Sequence, residues 1–322
     1  MKLRTVDLFC GGGGSSWGAL AAGAEIVCGV DAWELATQVY EHNFGLGSSR
    51  NLRMTDDTRA DALGVIGEID LLLASPECTN HTCARGSRPR DEASKQTANY
   101  VLNFARDLAP RWIVVENVVQ MKRWSGYSEL YSGLETLGYN LTPQDLNAAD
   151  FGVPQSRRRH FILCDRVRKP LTVRATHTAH RSAGSILDPA GTWRSRPLHR
   201  HGRAIGTIAR AERGIEALGR GQPFLIVYYG SDGSGGWQRL DKPLRTLTTL
   251  DRFGLVTWEG DIPMLRMLQP PELLRAMGFT DEYELLGCRR ERIKLLGNGV
   301  TPPVMASIVR TLTGACEAAE AA

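Results

Sequence analysis

Hydrophobic residues in the first half of the chain fall into short, nearly continuous apolar runs, and the stretches between them have helical spacing. Such runs are typical of parallel strands that helices cover on both faces of a sheet. They predict five strands, at residues 5–9, 25–31, 70–76, 112–118 and 160–166. Amphipathic spacing predicts helices at 33–44 and 93–108. The alternation predicts an α/β fold with a doubly wound, mostly parallel sheet.

After residue 166 this alternation stops. The next hundred residues are rich in Gly, Pro, Thr, Arg and His, with strand-like runs only at 223–229, 244–250 and 253–258. Helical patterns then return, at 270–279, 291–297 and 302–312. We therefore predict a catalytic domain at 1–166, a smaller, irregular, β-containing region at 167–260, a return to the first domain at 261–314 and a frayed tail at 315–322.

Charge is distributed unevenly along the 322 residues, whose net charge is +4. The segment from Arg157 to Arg213 holds 14 Lys and Arg against 3 Asp and Glu, which leaves 25 against 32 elsewhere. That segment therefore carries about +11 and the rest about −7. The asymmetry indicates a surface that faces a polyanion, although a solvated basic surface with no partner gives the same pattern.

The composition favours a cytoplasmic protein. At 42% hydrophobic content the chain can bury a core, but it has no apolar run of the ~18 residues that a membrane span needs. The apolar stretch before the first glycines is too short for a secretory signal. Seven cysteines at irregular spacing favour reduced thiols over a disulfide framework.

A glycine-rich segment, DLFCGGGGSSWG, follows the first predicted strand and leads into a helix. Glycines let a backbone approach a ligand closely, and we expect Ser15 or Ser16 to cap the helix. Asp31 ends the second strand, where a carboxylate can bind both hydroxyls of a ribose. The spacing differs from G-x-G-x-x-G, so the pattern predicts a nucleoside-type cofactor without identifying it. A tight turn with an incidental aspartate remains the alternative.

Cys78 follows the third predicted strand within ASPECTNHT, at the strand end where open α/β sheets bind ligands. His81 and the arginines at 85, 88 and 90 could favour its thiolate, whereas Glu77 would oppose it. Three other interpretations stay open. Cys78 is a small buried residue, a zinc ligand with His81 and Cys83, or the nucleophile of a thiol hydrolase.

Two further segments carry polar groups that suit catalysis. Glu116 ends the fourth predicted strand, beside the strand that leads to Cys78, and a carboxyl group in apolar surroundings can donate a proton. Arg157 and Arg159 precede the fifth strand, where alternation puts them on one face and Arg158 on the other. Two arginines on one face suit an anion or a carbonyl oxygen, although a basic strand edge would look the same.

In order along the chain, these segments resemble the motifs of the DNA (cytosine-5) methyltransferase family. The resemblance covers roughly residues 3–165 and 262–312. It implies a Rossmann-like fold, with 167–260 as the target-recognition region. The segments that carry it are DLFCGGGG, VDAWELATQVYEHNFG, ASPECTNHT, ENV, FGVPQSRRRHF, RMLQPPELLRAMGF and LLGNGVTPPV.

The resemblance implies methyl transfer from S-adenosylmethionine to C5 of a cytosine that is flipped out of duplex DNA. Cys78 would attack C6, Glu116 would protonate N3, Arg159 would hold O2, and Arg157 would position the nucleophile loop or a phosphate. No metal is expected. The implied cofactor contacts are Phe9, Cys10, Gly11, Gly12, Gly14, Asp31, Ala32, Asp56 with Asp57 as its alternative, Pro76, Asn298 and Val300.

Some positions depart from the family pattern. Glu77 replaces the second proline of the nucleophile loop and Thr79 replaces its glutamine. Ala32 stands where an aromatic residue usually stacks on adenine, although Trp33 is adjacent. Glu77 makes the loop less rigid and adds a carboxylate next to the sulfur, and Thr79 removes an amide that in the family helps to hold the loop around the flipped base. A bulkier sulfonium is an alternative donor.

Duplex DNA is the expected partner, with a cognate restriction endonuclease as a further candidate, and we expect a monomer. A tRNA cytosine-5 methyltransferase shares the fold and the chemistry. A catalytically silent DNA-binding regulator could also keep the fold. A zinc site is a further alternative in the basic region, formed by His177, His180, His199 and His201.

Overall fold

The predicted α/β fold is present, with a large, mostly parallel sheet in the first half of the chain. The computed structural model describes residues 2–76, 93–124, 126–229 and 235–314. Among these residues, seven strands form the main sheet: β1 Leu3–Leu8, β2 Ala24–Asp31, β3 Ser49–Asn51, β4 Leu71–Ala74, β5 Trp112–Asn117, β6 Asn140–Asn147 and, after the two-residue strand β7 Gln155–Ser156, β8 Arg158–Asp165.

The strand order is β3-β2-β1-β4-β5-β8-β6, and the strands from β3 to β5 are parallel. The run at 160–166, which we grouped with the parallel strands, is instead antiparallel to β5 and to β6. The reason is β6, which sequence patterning missed and which supplies the antiparallel neighbour. Consequently the start of β8 lies beside the carboxyl end of β5, with Glu116 opposite Phe161.

Helices cover both faces of this sheet. Val101 and Leu130 belong to an apolar cluster on one face, and Ala19 and Ile308 belong to a cluster on the other. No helix in the described parts of the chain is long and apolar enough to cross a membrane. The helices are α1 Gly14–Ala21, α2 Glu34–Phe44, α3 Ala93–Leu108, α4 Tyr127–Thr136, α5 Ile205–Leu218, α6 Pro270–Ala276, α7 Arg289–Asn298 and α8 Pro302–Thr313.

A second sheet makes the region after residue 166 more regular than expected. Its order is β11-β10-β13-β14-β9, and it is antiparallel throughout. The predicted boundary at 260 falls inside its β13–β14 hairpin, so the sheet continues to Met267. The strands are β9 Arg196–Pro197, β10 Phe224–Val227, β11 Trp237–Arg239, β13 Phe253–Glu259 and β14 Ile262–Met267, with the short β12 Leu244–Arg245 lying apart from them.

The strand predicted at 244–250 is shorter than its pattern suggests. Only β12 is extended, and it pairs with β7 of the first region instead of joining the second sheet. The two regions are also joined through Glu272 of α6, which is fully buried and accepts two hydrogen bonds from Arg266 of β14. The β12–β7 pairing and the Arg266–Glu272 ion pair therefore join the second region to the rest of the chain.

Candidate active site

A cavity of about 260 Å³ opens at the carboxyl ends of the parallel strands. This is the edge at which open α/β sheets bind ligands, because the loops that follow the strands leave space there. Its walls come from segments that are far apart in sequence: Phe9, Cys10, Gly11, Asp31, Ala32, Trp33, Leu52, Arg53, Met54, Ser75, Pro76, Tyr100, Glu116, Val118, Arg159, Lys294, Leu295, Asn298, Gly299 and Val300.

The glycine-rich loop forms one wall of the cavity. Gly11 has φ of 52°, a conformation that favours glycine, and its N–H points to Asp31. A Cβ atom on Gly14 would lie 2.2 Å from the carbonyl oxygen of Val300, so Gly14 allows the start of α1 to pack on the C-terminal segment. The loop therefore serves close packing as well as access to the cavity.

The serine cap that we predicted for α1 is wrong. The N-cap residue is Gly13, which has no side chain to accept a bond, and both serines lie within the helix. Ser16 instead donates a 2.7 Å hydrogen bond to the buried carboxyl group of Asp7, and its hydroxyl lies 2.6 Å from that of Tyr40. Burial raises the pKa of Asp7 to about 7. Hydrogen bonds among the buried side chains of Asp7, Ser16 and Tyr40 thus support the glycine-rich loop.

Asp31 is held at the end of β2 by backbone groups on both sides. One carboxylate oxygen accepts from the N–H of Gly11 at 2.9 Å and the other from the N–H of Trp33 at 2.8 Å. Burial raises the pKa of Asp31, while these two N–H groups and the charge of Lys294 act in the opposite direction. The carboxylate is therefore oriented before any ligand arrives.

Glu116 and Arg159 form an ion pair at the opposite end of the cavity. Nε of Arg159 lies 3.2 Å from Oε1 of Glu116, and the side chains are 16% and 8% exposed. The antiparallel pairing of β8 with β5 brings them together, because it puts residue 159 at the carboxyl end of β5. Burial raises the pKa of Glu116, and the charges of Arg159 and Arg157 oppose that rise.

Arg157 is buried at 2% exposure, and its guanidinium binds backbone carbonyl groups. It donates to Leu247 after β12, and to Gly297 and Gly299 at the end of α7, each at 2.9 Å. We expected it to position the nucleophile loop or a phosphate. Its described hydrogen bonds join the second region and the C-terminal segment to the start of β8, and the expected role stays a prediction.

Asn117 connects the end of β5 with the segment that precedes Cys78. Its side-chain amide donates to the carbonyl oxygen of Pro76 at 3.2 Å, and its side-chain oxygen accepts from the N–H of Val118 at 2.8 Å. Cys78 itself lies outside the described residues, as do Glu77, Thr79, His81, Cys83 and the arginines at 85, 88 and 90. Its preceding residues, Ser75 and Pro76, line the cavity.

The family model for "C-5 cytosine-specific DNA methylase" matches residues 3–191, which is more than half of the chain. The chain belongs to the C-5 cytosine-specific DNA methylase family. The resemblance drawn from the sequence motifs is therefore confirmed, and the family is one of S-adenosylmethionine-dependent transferases.

Individual relatives agree with this assignment. The Type II methyltransferase M.HgiDI of Herpetosiphon aurantiacus is 26% identical over 310 residues, which cover 92% of this chain and 90% of that relative. M.HindV of Haemophilus influenzae is 33% identical over 161 residues, covering 50% of this chain and 52% of the relative. The S. pombe Dnmt2 methyltransferase has the same fold, with a TM-score of 0.72, 20% identity, and coverage of 98% of this chain and 100% of its own.

In this family member, most of the predicted cofactor residues lie together. Eight of them line the cavity: Phe9, Cys10, Gly11, Asp31, Ala32, Pro76, Asn298 and Val300. Gly12, Gly14, Asp56 and Asp57 do not line it. Asp56 lies beside Asn103 of α3, whose side-chain amide donates to its backbone carbonyl. The roles of all these residues stay predictions.

The cavity also contains residues that sequence reasoning did not select, among them Arg53, Met54, Tyr100 and Lys294. They share no motif and reach the cavity only because β3, α3 and α7 pack around it. The position of Trp33 was noted beside Ala32, and its ring does lie in the cavity wall. Nothing in the local sequence around Lys294 pointed to it.

Three of the four histidines of the second region have separate partners in this methylase. Nε2 of His180 lies 2.8 Å from Asp150, and Nε2 of His199 lies 2.9 Å from Glu212. His177 contacts the hydroxyl of Thr176. Among the residues that the structure describes, no group of three or more His, Cys, Asp and Glu side chains could hold a metal ion.

Exposed arginines gather near β9 in the second region. Arg196 and Arg200 are exposed, and Arg203 donates to the backbone carbonyls of Pro197 and Leu198. The pKa of Arg203 is lowered, first by partial burial and then by the charges of Arg200 and Arg196. Arg200 and Arg196 are therefore close enough to repel the charge of Arg203, and an anion would relieve that repulsion.

Proposed function

We propose that this chain methylates C5 of cytosine at a specific short sequence in duplex DNA. One observation carries the proposal: the Asp31 cavity, the Glu116–Arg159 pair and the end of the strand that precedes Cys78 share one edge of the sheet. A nucleoside cofactor, a flipped base and a thiol nucleophile could therefore meet there. Family membership supports the same reaction class.

The polar and apolar side chains that line the cavity suit the polar and apolar groups of S-adenosylmethionine. Asp31 would accept hydrogen bonds from the ribose hydroxyls, using the lone pairs that its two backbone donors leave free. Phe9, Met54 and Leu295 would give apolar contacts to the nucleoside. When bound, this cofactor would supply an electrophilic methyl group on a sulfonium. No metal is required by the proposal.

Cys78 would be the nucleophile. Cytosine C5 reacts poorly with an electrophile until a thiolate adds to C6 and a proton reaches N3, which together make C5 enamine-like. The C6–S bond forms as N3 takes the proton. After C5 has gained the methyl group, loss of the C5 proton to solvent breaks the C6–S bond and returns the electron pair to sulfur. N3 gives its proton back to Glu116, so that neutral, aromatic 5-methylcytosine leaves. Asn117 would steady the start of the Cys78 segment through its bond to Pro76.

Glu116 would deliver the N3 proton and Arg159 would bind the exocyclic O2. A buried carboxyl group with a raised pKa is protonated more readily than one in water, which suits a proton donor. Arg159 keeps its guanidinium beside that carboxyl group in the described structure. Arg157 would act differently, by holding the carbonyls of residues 247, 297 and 299 around the cavity.

The second region would bind the DNA duplex while the target cytosine flips out of the helix. Base flipping costs a few kcal/mol, which protein contacts to phosphate and to the groove must offset. Arg203 and its neighbours Arg196 and Arg200 suit phosphate, because each Lys or Arg that binds a phosphate releases a condensed counterion. The relatives named Type II methyltransferases suggest that the methylated site is also that of a restriction endonuclease.

Bisulfite sequencing of host DNA after expression of the chain tests the proposal. We expect methylation at one short sequence, abolished by Cys78→Ala and retained by Cys288→Ala, which removes an exposed thiol elsewhere. Purified protein should transfer labelled methyl groups to duplex DNA and not to tRNA. Transfer to tRNA alone would favour the RNA enzyme, and cofactor and DNA binding without transfer would favour a silent regulator. Methylation by Cys78→Ala would contradict the mechanism.

A further inference from the structure

Lys294 lies on the rim of the Asp31 cavity, one helical turn before Asn298 on α7. Its Nζ is 4.1 Å from the centroid of the Trp33 indole, and both residues line the cavity. An ammonium group over an indole face is attracted by the negative face of the ring, while its apolar stem packs beside it. Lys294 is exposed, yet its charge is held at a defined place.

Trp33 connects this cation with Asp31. Its backbone N–H donates to the Asp31 carboxylate at 2.8 Å, while its ring carries Lys294. Trp33 thus contacts both the negative charge of Asp31 and the positive charge of Lys294 on the same rim of the cavity. The charge of Lys294 favours the carboxylate form of Asp31, against the burial that disfavours it.

This inference rests on the proposed function. We propose that Lys294 is a positioning residue of the cofactor site, whose charge, held on Trp33, keeps Asp31 as the carboxylate that accepts hydrogen bonds from a ribose diol. The expected ligand class is a nucleoside with free 2′ and 3′ hydroxyl groups. Lys294 acts through Asp31 and need not touch the cofactor.

Other charged or titratable groups lie on the elements around Asp31. Asp7 and Cys10 interact with it electrostatically from β1 and the glycine loop. The remaining groups on neighbouring elements are Glu34 at the start of α2, Arg50 of β3 and, in the cavity wall, Arg53, Glu116 and Arg159.

The direction of the pH effect follows from these charges. Removal of the Lys294 charge would let Asp31 bind a proton at a higher pH than it does in the wild type. Cofactor affinity, which needs the carboxylate, would then begin to fall at a higher pH as the solution is acidified. Well above that pH, the variant and the wild type would bind almost equally through Asp31.

Calorimetric titration with S-adenosylhomocysteine between about pH 5.5 and 8.5 tests this prediction. On the acidic side of the pH midpoint of binding, Lys294→Met should weaken binding about two- to fivefold, the range of a solvent-screened ion pair, and should move that midpoint upward. Lys294→Arg keeps the charge and should bind as wild type does. Arg290→Met removes an exposed charge one turn earlier on the same helix and is the matched control.

A double-mutant cycle with Asp31→Asn separates the electrostatic role from simple packing. An amide at position 31 cannot ionise, so Lys294→Met should cause little further loss in that background. An undiminished loss there, or an unchanged pH midpoint in Lys294→Met, would mean that Lys294 only supports the Trp33 ring. Wild-type protein that fails to bind S-adenosylhomocysteine at any pH would overturn the proposed function itself. Tight wild-type binding with no effect of Lys294→Met would overturn only the role of Lys294.

Discussion

The cofactor cavity and the basic surface near β9 differ in how their charged groups are held. Asp31, Glu116 and Asp7 are wholly or partly buried, and each has partners that orient it. Arg196 and Arg200 are exposed, and they repel the neighbouring Arg203. The cavity is organised before a ligand binds, whereas among the described residues no carboxylate forms an ion pair with Arg196, Arg200 or Arg203.

This difference determines how each region should respond to mutation. Loss of a buried, oriented group should cost much in rate or stability, because the groups left behind stay desolvated and unpaired. Loss of an exposed arginine should cost little in folding and should appear in the dependence of DNA binding on salt. Four variants test the contrast, from the largest expected effect to the smallest.

Glu116→Gln should lower the rate of methyl transfer about 100- to 10,000-fold, the range for loss of a positioned proton donor. Because the proposed mechanism needs protonated Glu116, the wild-type rate should fall as pH rises through the raised pKa of this carboxyl group, and the variant should lose that dependence. Single-turnover assays across pH measure both effects. Glu135→Gln, which changes an exposed carboxylate on α4, should behave as wild type.

Arg157→Met should destabilise the fold by about 3–5 kcal/mol, because three carbonyl groups lose a charged donor in a buried place. Urea denaturation measures the free energy of unfolding, and calorimetry should show weaker cofactor binding because Gly299 lines the cavity. Arg158→Met is the matched control at the adjacent, exposed position. Equal stability of the two variants would contradict a joining role for Arg157.

Asp7→Asn should remove a pH dependence of stability. Since burial raises the pKa of Asp7 from 3.8 to about 7, its proton stabilises the folded state at low pH. That contribution is lost as pH rises through about 7. The variant should therefore gain stability over the wild type between about pH 4 and 8, by up to about 4 kcal/mol.

Urea denaturation at several pH values measures this difference. Asp61→Asn, at an exposed position, should show no such trend. A constant stability difference between Asp7→Asn and the wild type would mean that Asp7 is ionised in the folded protein across the range.

Replacement of Arg196 and Arg200 by glutamine should have the smallest effect on the protein itself. Duplex affinity should fall and the slope of log affinity against log salt should flatten by about 1 per lost phosphate contact. Cofactor binding should not change, because no residue of this surface lines the cavity. Fluorescence anisotropy at several salt concentrations measures the slope. DNA binding equal to that of the wild type would place the duplex on another face.

The sequence by itself determined the α/β class, the order of the motifs and the strand ends at which Asp31 and Glu116 stand. Apolar runs specify buried parallel strands, and the ligand edge of such a sheet follows from topology. The family could be predicted for the same reason, because its motifs follow those strand ends in order.

Only the tertiary structure decided which groups face one another. The antiparallel direction of β8, set by the unpredicted β6, brings Arg159 to Glu116. The packing of α7 brings Lys294 over Trp33, about 260 positions away along the chain. The long-range hydrogen bonds of Arg157 likewise depend on how the C-terminal segment returns to the sheet. Local sequence carries no signal for such contacts, because they depend on the packing of segments that lie far apart in the chain.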